Sequence, residues 1–182
     1  MIRLILDTET SGLSSLKHKT LTVGMVAADI EENYLDILGE SHIFIKHDEY
    51  NANPFALRVN KINLEEHHKI GITPKKACEN INTFIKTNKL LKTPLVGHNI
   101  PFDMNFIKAL FQQGKTSCKL HYELEDTRNM WKRLQYLQKV PTDSRARLKD
   151  LANHFQIDYS KAHDALADCH ITAKVYQKML QL

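Results

Sequence analysis

The chain begins with a short apolar run, residues 2–6, that leads directly into the acidic residues Asp7 and Glu9. Such a run is typical of a β-strand that is buried on both faces. We expect this strand to end at Leu6 and residues 7–12 to form a polar turn. Because residues two apart in extended backbone point to the same side, both carboxylates leave the strand end together. A divalent cation would relieve their repulsion, although a solvated acidic turn is the simpler interpretation of this motif alone.

Strands come early in the chain, and helices alternate with short strands later. Two β-leaning runs follow the first strand and predict a hairpin or meander over residues 21–30 and 34–45. Residues 47–73 are polar and broken at Pro54, so we expect short helical turns there at most. Further helices are predicted over residues 74–89, 102–114, 127–137, 145–155 (capped by Ser144) and 166–180, and short strands over 94–97 and 120–124. This order predicts an α/β fold with a mixed sheet.

Composition restricts the class of protein. The 182 residues carry 25 Lys plus Arg against 21 Asp plus Glu, and the net charge of +4 suits brief contact with a polyanion but excludes a histone-like binder. The three cysteines are far apart and form no C-x-x-C pair, which argues against a disulfide framework or a structural zinc site. No apolar run is long enough to cross a membrane. We therefore expect one cytoplasmic domain over residues 1–182, without membrane association.

A second polar segment, residues 98–103 (HNIPFD), follows the predicted strand at 94–97. Asp103 falls in the first turn of a helix that Pro101 favours, and a carboxylate at this position also serves simply to complement the helix dipole. Phe102 and Phe106 are four residues apart on one helix face, a spacing that is more typical of core than of nucleotide-stacking residues. This segment carries little functional weight alone.

A third segment, residues 163–168 (HDALAD), begins the last helix. Asp168 lies within an apolar-striped helix, where a carboxylate needs a partner or an ion. His163, five residues earlier, is the side chain best able to exchange protons near neutral pH. A surface histidine is the alternative interpretation, and among the ten histidines we expect His67 and His68 to be exposed.

Together the three segments form a far more specific pattern than any of them alone. The stretches LILDTETSGL (4–13), VGHNIPFDMNFI (96–107) and HDALADCHITAKVY (163–176) resemble the three motifs of the DnaQ-like (DEDD) 3′–5′ exonucleases. Weaker similarity in residues 53–63, 123–127 and 148–158 extends the resemblance over nearly the whole chain. Histidine at position 163 is typical of the histidine branch (DEDDh), which includes the exonuclease domain of bacterial DNA polymerase III proofreading subunits. The resemblance implies an RNase H-like fold, a mixed β-sheet flanked by α-helices.

The same resemblance implies an active site. It implies two Mg²⁺ or Mn²⁺ ions held by Asp7, Glu9, Asp103 and Asp168, and a general base, His163, that deprotonates the attacking water. It implies that the backbone from Thr8 through Thr10 to Ser11 and the Glu9 carboxylate contact the 3′-hydroxyl of the terminal nucleotide. It also implies that Leu13, His98 and Phe102 pack against the last bases or wedge between them. One departure is that residues 59–62 read Val-Asn-Lys-Ile where the family usually has His-Gly-Ile.

The predicted activity is a metal-dependent 3′–5′ exonuclease that releases nucleoside 5′-monophosphates from single-stranded DNA, in proofreading or repair. An exoribonuclease that trims RNA 3′ ends is the first alternative, although Leu13 stands where ribonuclease T-like members tend to carry an aromatic residue. A non-catalytic nucleic-acid-binding module on the same fold is the second, and it would have no chemical need for four carboxylates and a histidine. The expected partners are single-stranded 3′ ends, DNA in preference to RNA, and a DNA polymerase or repair complex.

Overall fold

Five strands form the central sheet of the computed structural model, which describes residues 1–182. In chain order the strands are β1 (Ile2–Thr10), β2 (Thr20–Glu31), β3 (Tyr34–Phe44), β4 (Leu95–Gly97) and β5 (Leu124–Asp126). Their spatial order is β3-β2-β1-β4-β5. The β3-β2-β1 part is antiparallel, whereas β4 and β5 run parallel to β1, so the sheet is mixed as the sequence predicts.

Seven helices flank this sheet. They are α1 (Pro54–Asn60), α2 (Leu64–Ile70), α3 (Pro74–Thr87), α4 (Ile100–Gln113), α5 (Thr127–Tyr136), α6 (Leu148–His154) and α7 (Ala165–Leu180). None of them is both long enough and apolar enough to cross a membrane.

Alternation along β1 divides the core between the two faces of the sheet. Leu4 and Leu6 point to one face and pack in a cluster with residues of α3 and α4, such as Ile81 and Ile107. Ile5 points to the opposite face and packs in a cluster with residues of α7. Because side chains alternate along a strand, residues after Leu6 are directed in turn to the α7 face and to the α4 face.

The prediction that the first strand ends at Leu6 is wrong, because β1 continues to Thr10. The polar residues stay in the sheet because β2 runs beside them: Thr8 pairs with Val23 and Glu9 with Thr22. The predicted strand at 120–124 is also misplaced, since pairing with β4 begins at Leu124. In both places the neighbouring strand, and not local propensity, determines where pairing occurs.

Two helix predictions also need correction. Residues 47–73 contain two capped helices and not merely turns: Pro54 occupies the first turn of α1, where its missing N–H is harmless, and Asn63 caps α2. The helix predicted from residue 145 starts at Leu148. Ser144 does not cap it, because its hydroxyl donates to the Pro141 carbonyl and accepts from Trp131 Nε1.

The expectation for His67 is likewise wrong, whereas His68 is exposed as predicted. His67 is 4% exposed, and its Nε2–H donates to the Ile45 carbonyl at 3.0 Å. Burial lowers the pKa of His67, so the ring is neutral at pH 7 and serves the packing of α2 against β3.

Candidate active site

The acidic residues of β1 lie where one edge of that strand is open. The parallel strand β4 pairs with β1 only at Leu4 and Ile5, so the segment from Leu6 to Thr10 has no strand on that side. Asp7 and Glu9 follow Ile5 in the alternation and are therefore directed to the α7 face. Both carboxylates are partly buried.

Asp168 approaches them from the first turn of α7. Carboxylate oxygens of Asp7, Glu9 and Asp168 all lie within 4.8 Å of one another. A glycine permits this approach: Gly24 is paired with Asp7 in the sheet, and a Cβ at that position would lie 2.3 Å from the Ala165 carbonyl oxygen. A side chain at position 24 would thus displace the start of α7 and move Asp168 away from β1.

Asp103 reaches the same region from the opposite face of the sheet. It lies buried in the first turn of α4, and its Oδ1 accepts two hydrogen bonds from Thr8, one from the backbone N–H at 2.9 Å and one from the hydroxyl at 2.6 Å. Thr8 is expected to contact the substrate, but both of its donors are committed to Asp103. In this structure Thr8 therefore positions Asp103 and offers no free donor to a nucleotide.

The pKa values of all four carboxyl groups, Asp7, Glu9, Asp103 and Asp168, are raised. Burial, followed by the charges of Asp103, Asp168 and Glu9, raises the pKa of Asp7. Burial and the charges of Asp168 and Asp103 raise the pKa of Glu9 to about 8. Burial also raises the pKa values of Asp103 and Asp168. So many neighbouring carboxylates cannot all be ionised near neutral pH without a compensating positive charge.

The donor set fits a divalent cation. All four groups offer carboxylate oxygens, which are the ligands that Mg²⁺ and Mn²⁺ prefer. Asp168 supplies a more specific indication: its Oδ2 accepts from the His163 backbone N–H, while its Oδ1 is buried and has no hydrogen-bond partner. A buried carboxylate oxygen is rarely left unpaired, so this atom is well suited to coordinate an ion.

His163 lies immediately before the cap residue of α7, in a left-handed backbone conformation with φ of 71°. Its imidazole is exposed and lies edge-on to Tyr159, with 6.1 Å between the ring centroids. Partial desolvation lowers its pKa, and the positive charges of Lys61 and Lys149 lower it further. The ring is therefore neutral at pH 7, the form in which a histidine can accept a proton.

The other predicted contact residues differ in their exposure and local contacts. Leu13 is 80% exposed in the loop after β1 and is free to meet a base. Phe102 is half-buried with its ring centroid 4.9 Å from that of Phe106, which is buried in the core as expected. His98 Nδ1 lies 3.0 Å from the Thr127 hydroxyl oxygen, and burial lowers its pKa to about 4. Thr10 is buried, and its hydroxyl donates to the Gly12 carbonyl.

Sequence reasoning did not single out Asn60 as a site residue. Its side-chain amide donates to the Thr10 carbonyl at 3.1 Å and lies close enough to Glu9 to lower the pKa of that carboxyl. Lys61, the next residue, adopts φ of 57°, a conformation that glycine accepts without strain. The lysine side chain adds a positive charge near His163.

Comparison with known families agrees with this geometry. The RNase T family model, described as an exonuclease, matches residues 4–176. The chain belongs to the RNase T exonuclease family. This match confirms the resemblance to DnaQ-like exonucleases drawn from the three acidic motifs.

Among relatives of this RNase T family chain, ribonuclease T of Histophilus somni is 25% identical over 97% of the chain and 82% of that protein. The 3′–5′ exonuclease DinG of Staphylococcus haemolyticus is 38% identical over 48% of the chain, a stretch that covers only 9% of DinG. Exonuclease I has the same fold, with a TM-score of 0.85 and 21% identity over 99% of this chain. The chain spans 40% of the length of exonuclease I. A crystal structure of E. coli exonuclease I in complex with a dT13 oligonucleotide also has this fold, with a TM-score of 0.83.

The raised carboxyl pKa values predict how pH and metal affect stability in this RNase T family chain. The carboxyl groups of Asp7 and Glu9 bind their protons more tightly in the folded protein than in the unfolded chain, where carboxyl pKa values are about 4. Proton binding therefore stabilises the folded state at low pH, and this contribution to the free energy of unfolding is lost as the pH rises from about 4 through 8. We expect Mg²⁺ to raise the melting temperature of EDTA-treated protein more at pH 8 than at pH 5, by about 2–4 °C for each kcal/mol of repulsion relieved. Calorimetry at both pH values measures this, and an equal gain at both would contradict it.

Proposed function

We propose that this chain is a metal-dependent 3′–5′ exonuclease that hydrolyses the terminal phosphodiester bond of single-stranded DNA and releases a nucleoside 5′-monophosphate. One observation carries the proposal: Asp7, Glu9 and Asp168 lie within 4.8 Å of one another and leave a buried carboxylate oxygen unpartnered. A module that only binds nucleic acid gains nothing from four adjacent carboxylates, since they repel the phosphate backbone. Family membership supports the same activity.

We infer that Asp7, Glu9, Asp103 and Asp168 hold two divalent cations, Mg²⁺ or Mn²⁺. When bound, such a pair stabilises the charges of the attacking and leaving oxygens in an in-line phosphoryl displacement. The chain contributes the geometry that this requires. Thr8 holds Asp103 by two hydrogen bonds, and the His163 backbone N–H holds one oxygen of Asp168 while leaving the other free.

His163 is the proposed general base. It adjoins Asp168 through its own backbone, its ring is exposed to solvent, and its lowered pKa keeps the acceptor nitrogen free at neutral pH. Neutral imidazole takes a proton from the attacking water, and bulk solvent can remove that proton again because the ring is accessible. Leu13 and Phe102 would meet the terminal bases through apolar contact, which discriminates little between bases.

DNA is the favoured substrate because exonuclease I, which has the same fold, has been solved in complex with a dT13 oligonucleotide. RNA trimming is the second candidate, and one observation favours it: a relative that matches nearly the whole chain is named ribonuclease T. A comparison of DNA and RNA oligonucleotides of the same sequence distinguishes the two.

A 3′-phosphate is expected to block the reaction. If Glu9 meets the 3′-hydroxyl, a phosphate there would bring two negative charges against the carboxylate set, and we expect hydrolysis to fall by about 10²-fold or more.

Single strands should be degraded faster than blunt duplexes, since the terminal nucleotide must leave its partner to enter the site. End-labelled oligonucleotides measure both effects, and efficient nicking of circular DNA would contradict the proposal.

Residues 1–182 are proposed to act as one exonuclease unit. A DNA polymerase or a repair complex is the proposed protein partner. The three cysteines form no disulfide, which agrees with the proposed cytoplasmic location.

A further inference from the structure

A basic cleft lies beside the acidic cluster. It encloses about 570 Å³ between the β4–α4 connection, α5 and the segment that precedes α6. No acidic residue lines it. Its polar walls are His98, Asn99, Arg128, Lys132, Arg145 and Arg147.

Three of the four cationic side chains of this cleft form no ion pair, although the carboxylates of Asp126 and Asp150 lie next to its walls. Arg147 pairs with Asp150, but Arg128, Lys132 and Arg145 form no ion pair. Arg128 instead donates to the Asn99 side-chain oxygen at 3.0 Å, a neutral partner that orients the guanidinium without cancelling its charge. Side chains of this kind remain available for an anion, and arginine forks match the geometry of phosphate oxygens.

Both walls of the cleft lie next to parts of the proposed active site. His98 and Asn99 join β4 to α4, the helix that carries Asp103 in its first turn. On the other wall, Arg147 lies close enough to Tyr159 to act on its pKa, and the charges of Asp168, Asp7 and Glu9 act on the same phenol. The cleft is therefore adjacent to the site that would receive the 3′ end of a strand.

We propose that this cleft binds the phosphodiester backbone of the substrate strand upstream of its 3′ end, with Arg128, Lys132 and Arg145 as phosphate ligands. This inference rests on the proposed exonuclease function and deepens it. It makes binding depend on strand length, because the single internucleotide phosphate of a dinucleotide is the one that is hydrolysed at the acidic cluster, which leaves no upstream phosphate for the cleft to bind. It also gives specificity for a polynucleotide without any reading of bases.

The test compares wild type with the K132Q/R145Q double variant on two substrates, a thymidine dinucleotide and a dT oligonucleotide of about twelve nucleotides. We expect the double variant to raise KM for the oligonucleotide by about tenfold or more at unchanged kcat, and to leave dinucleotide hydrolysis unchanged. The salt dependence of oligonucleotide binding should weaken, with its log–log slope falling by about 0.7 for each contact removed. The matched control is Arg133→Gln, because Arg133 is exposed on the same helix but does not line the cleft.

Two results would overturn the cleft assignment: an unchanged KM for the oligonucleotide, or equal losses on both substrates. If wild type hydrolyses neither substrate, the proposed function fails, but fluorescence anisotropy of labelled dT oligonucleotide in EDTA still decides the cleft. Weaker binding by K132Q/R145Q than by Arg133→Gln supports it, and equal binding refutes it. Tighter binding of a polyglutamate peptide than of the oligonucleotide would assign the cleft to an acidic protein segment and would also refute it.

Discussion

Asp7→Asn is expected to reduce exonuclease turnover by at least about 10³-fold, an effect as large as that of EDTA on the wild type. The charges of Asp103, Asp168 and Glu9 all raise the pKa of Asp7, so its carboxylate lies close to the other three. Asparagine keeps the shape of the side chain but removes the negative charge that two cations would share. The loss should therefore appear at the chemical step, and added Mg²⁺ should not restore it.

Stability measurements separate this effect from unfolding. Removing one charge from a buried, repelling set should leave the metal-free melting temperature unchanged or raise it, and Mg²⁺ should stabilise Asp7→Asn less than wild type. Asp36→Asn is a matched control, because Asp36 is an exposed aspartate on β3, away from the cluster. Single-turnover rates at saturating Mg²⁺ provide the readout. Turnover of Asp7→Asn within a few-fold of wild type would refute the metal-ion mechanism.

Much of the site could be predicted because its residues lie on elements with strong local patterns. Asp7 and Glu9 follow an apolar run, Asp103 follows a proline at a helix start, and Asp168 lies in a helix with a regular apolar stripe. Local rules of this kind place each carboxylate at the edge of an element. The resemblance to a known family, and not the local pattern, predicted that these edges meet.

What could not be predicted depends on contacts between distant parts of the chain. The continuation of β1 to Thr10 follows from its pairing with β2, and a reading of local polarity ends the strand too early. Gly24 looks unremarkable in its strand, yet the close approach of the Ala165 carbonyl makes it necessary for the position of α7. The role of Asn60 also depends on the fold, which places its amide against the Thr10 carbonyl and near Glu9.

His163→Ala is expected to lower turnover by about 10²–10⁴-fold, the usual contribution of a general base. Oligonucleotide binding should change little, because the side chain makes no phosphate contact in the proposed mechanism. Metal affinity should also be nearly unaltered, since His163 holds Asp168 through its backbone N–H, which alanine retains. This combination distinguishes His163 from the carboxylates, whose replacement should weaken metal binding.

The pH dependence of the rate gives a more specific test. A base accepts a proton only when it is neutral, so the wild-type rate should fall as pH decreases through the pKa of His163. That pKa lies below the ordinary value of 6.5, because of desolvation and the charges of Lys61 and Lys149. Saturating Mg²⁺ keeps the carboxylates ionised over the same range, so the acidic limb should disappear in His163→Ala.

Single-turnover rates from about pH 5 to 9 distinguish a catalytic from a structural role for His163. If the histidine only packs against Tyr159 at the start of α7, its replacement should lower the melting temperature and leave the acidic limb in place. If it is the base, the limb should vanish while the melting temperature stays near that of wild type, because the ring is exposed. His68→Ala, which removes an exposed histidine on α2, should change neither property. A His163→Ala rate within a few-fold of wild type, with its acidic limb intact, would assign the proton acceptor to another group.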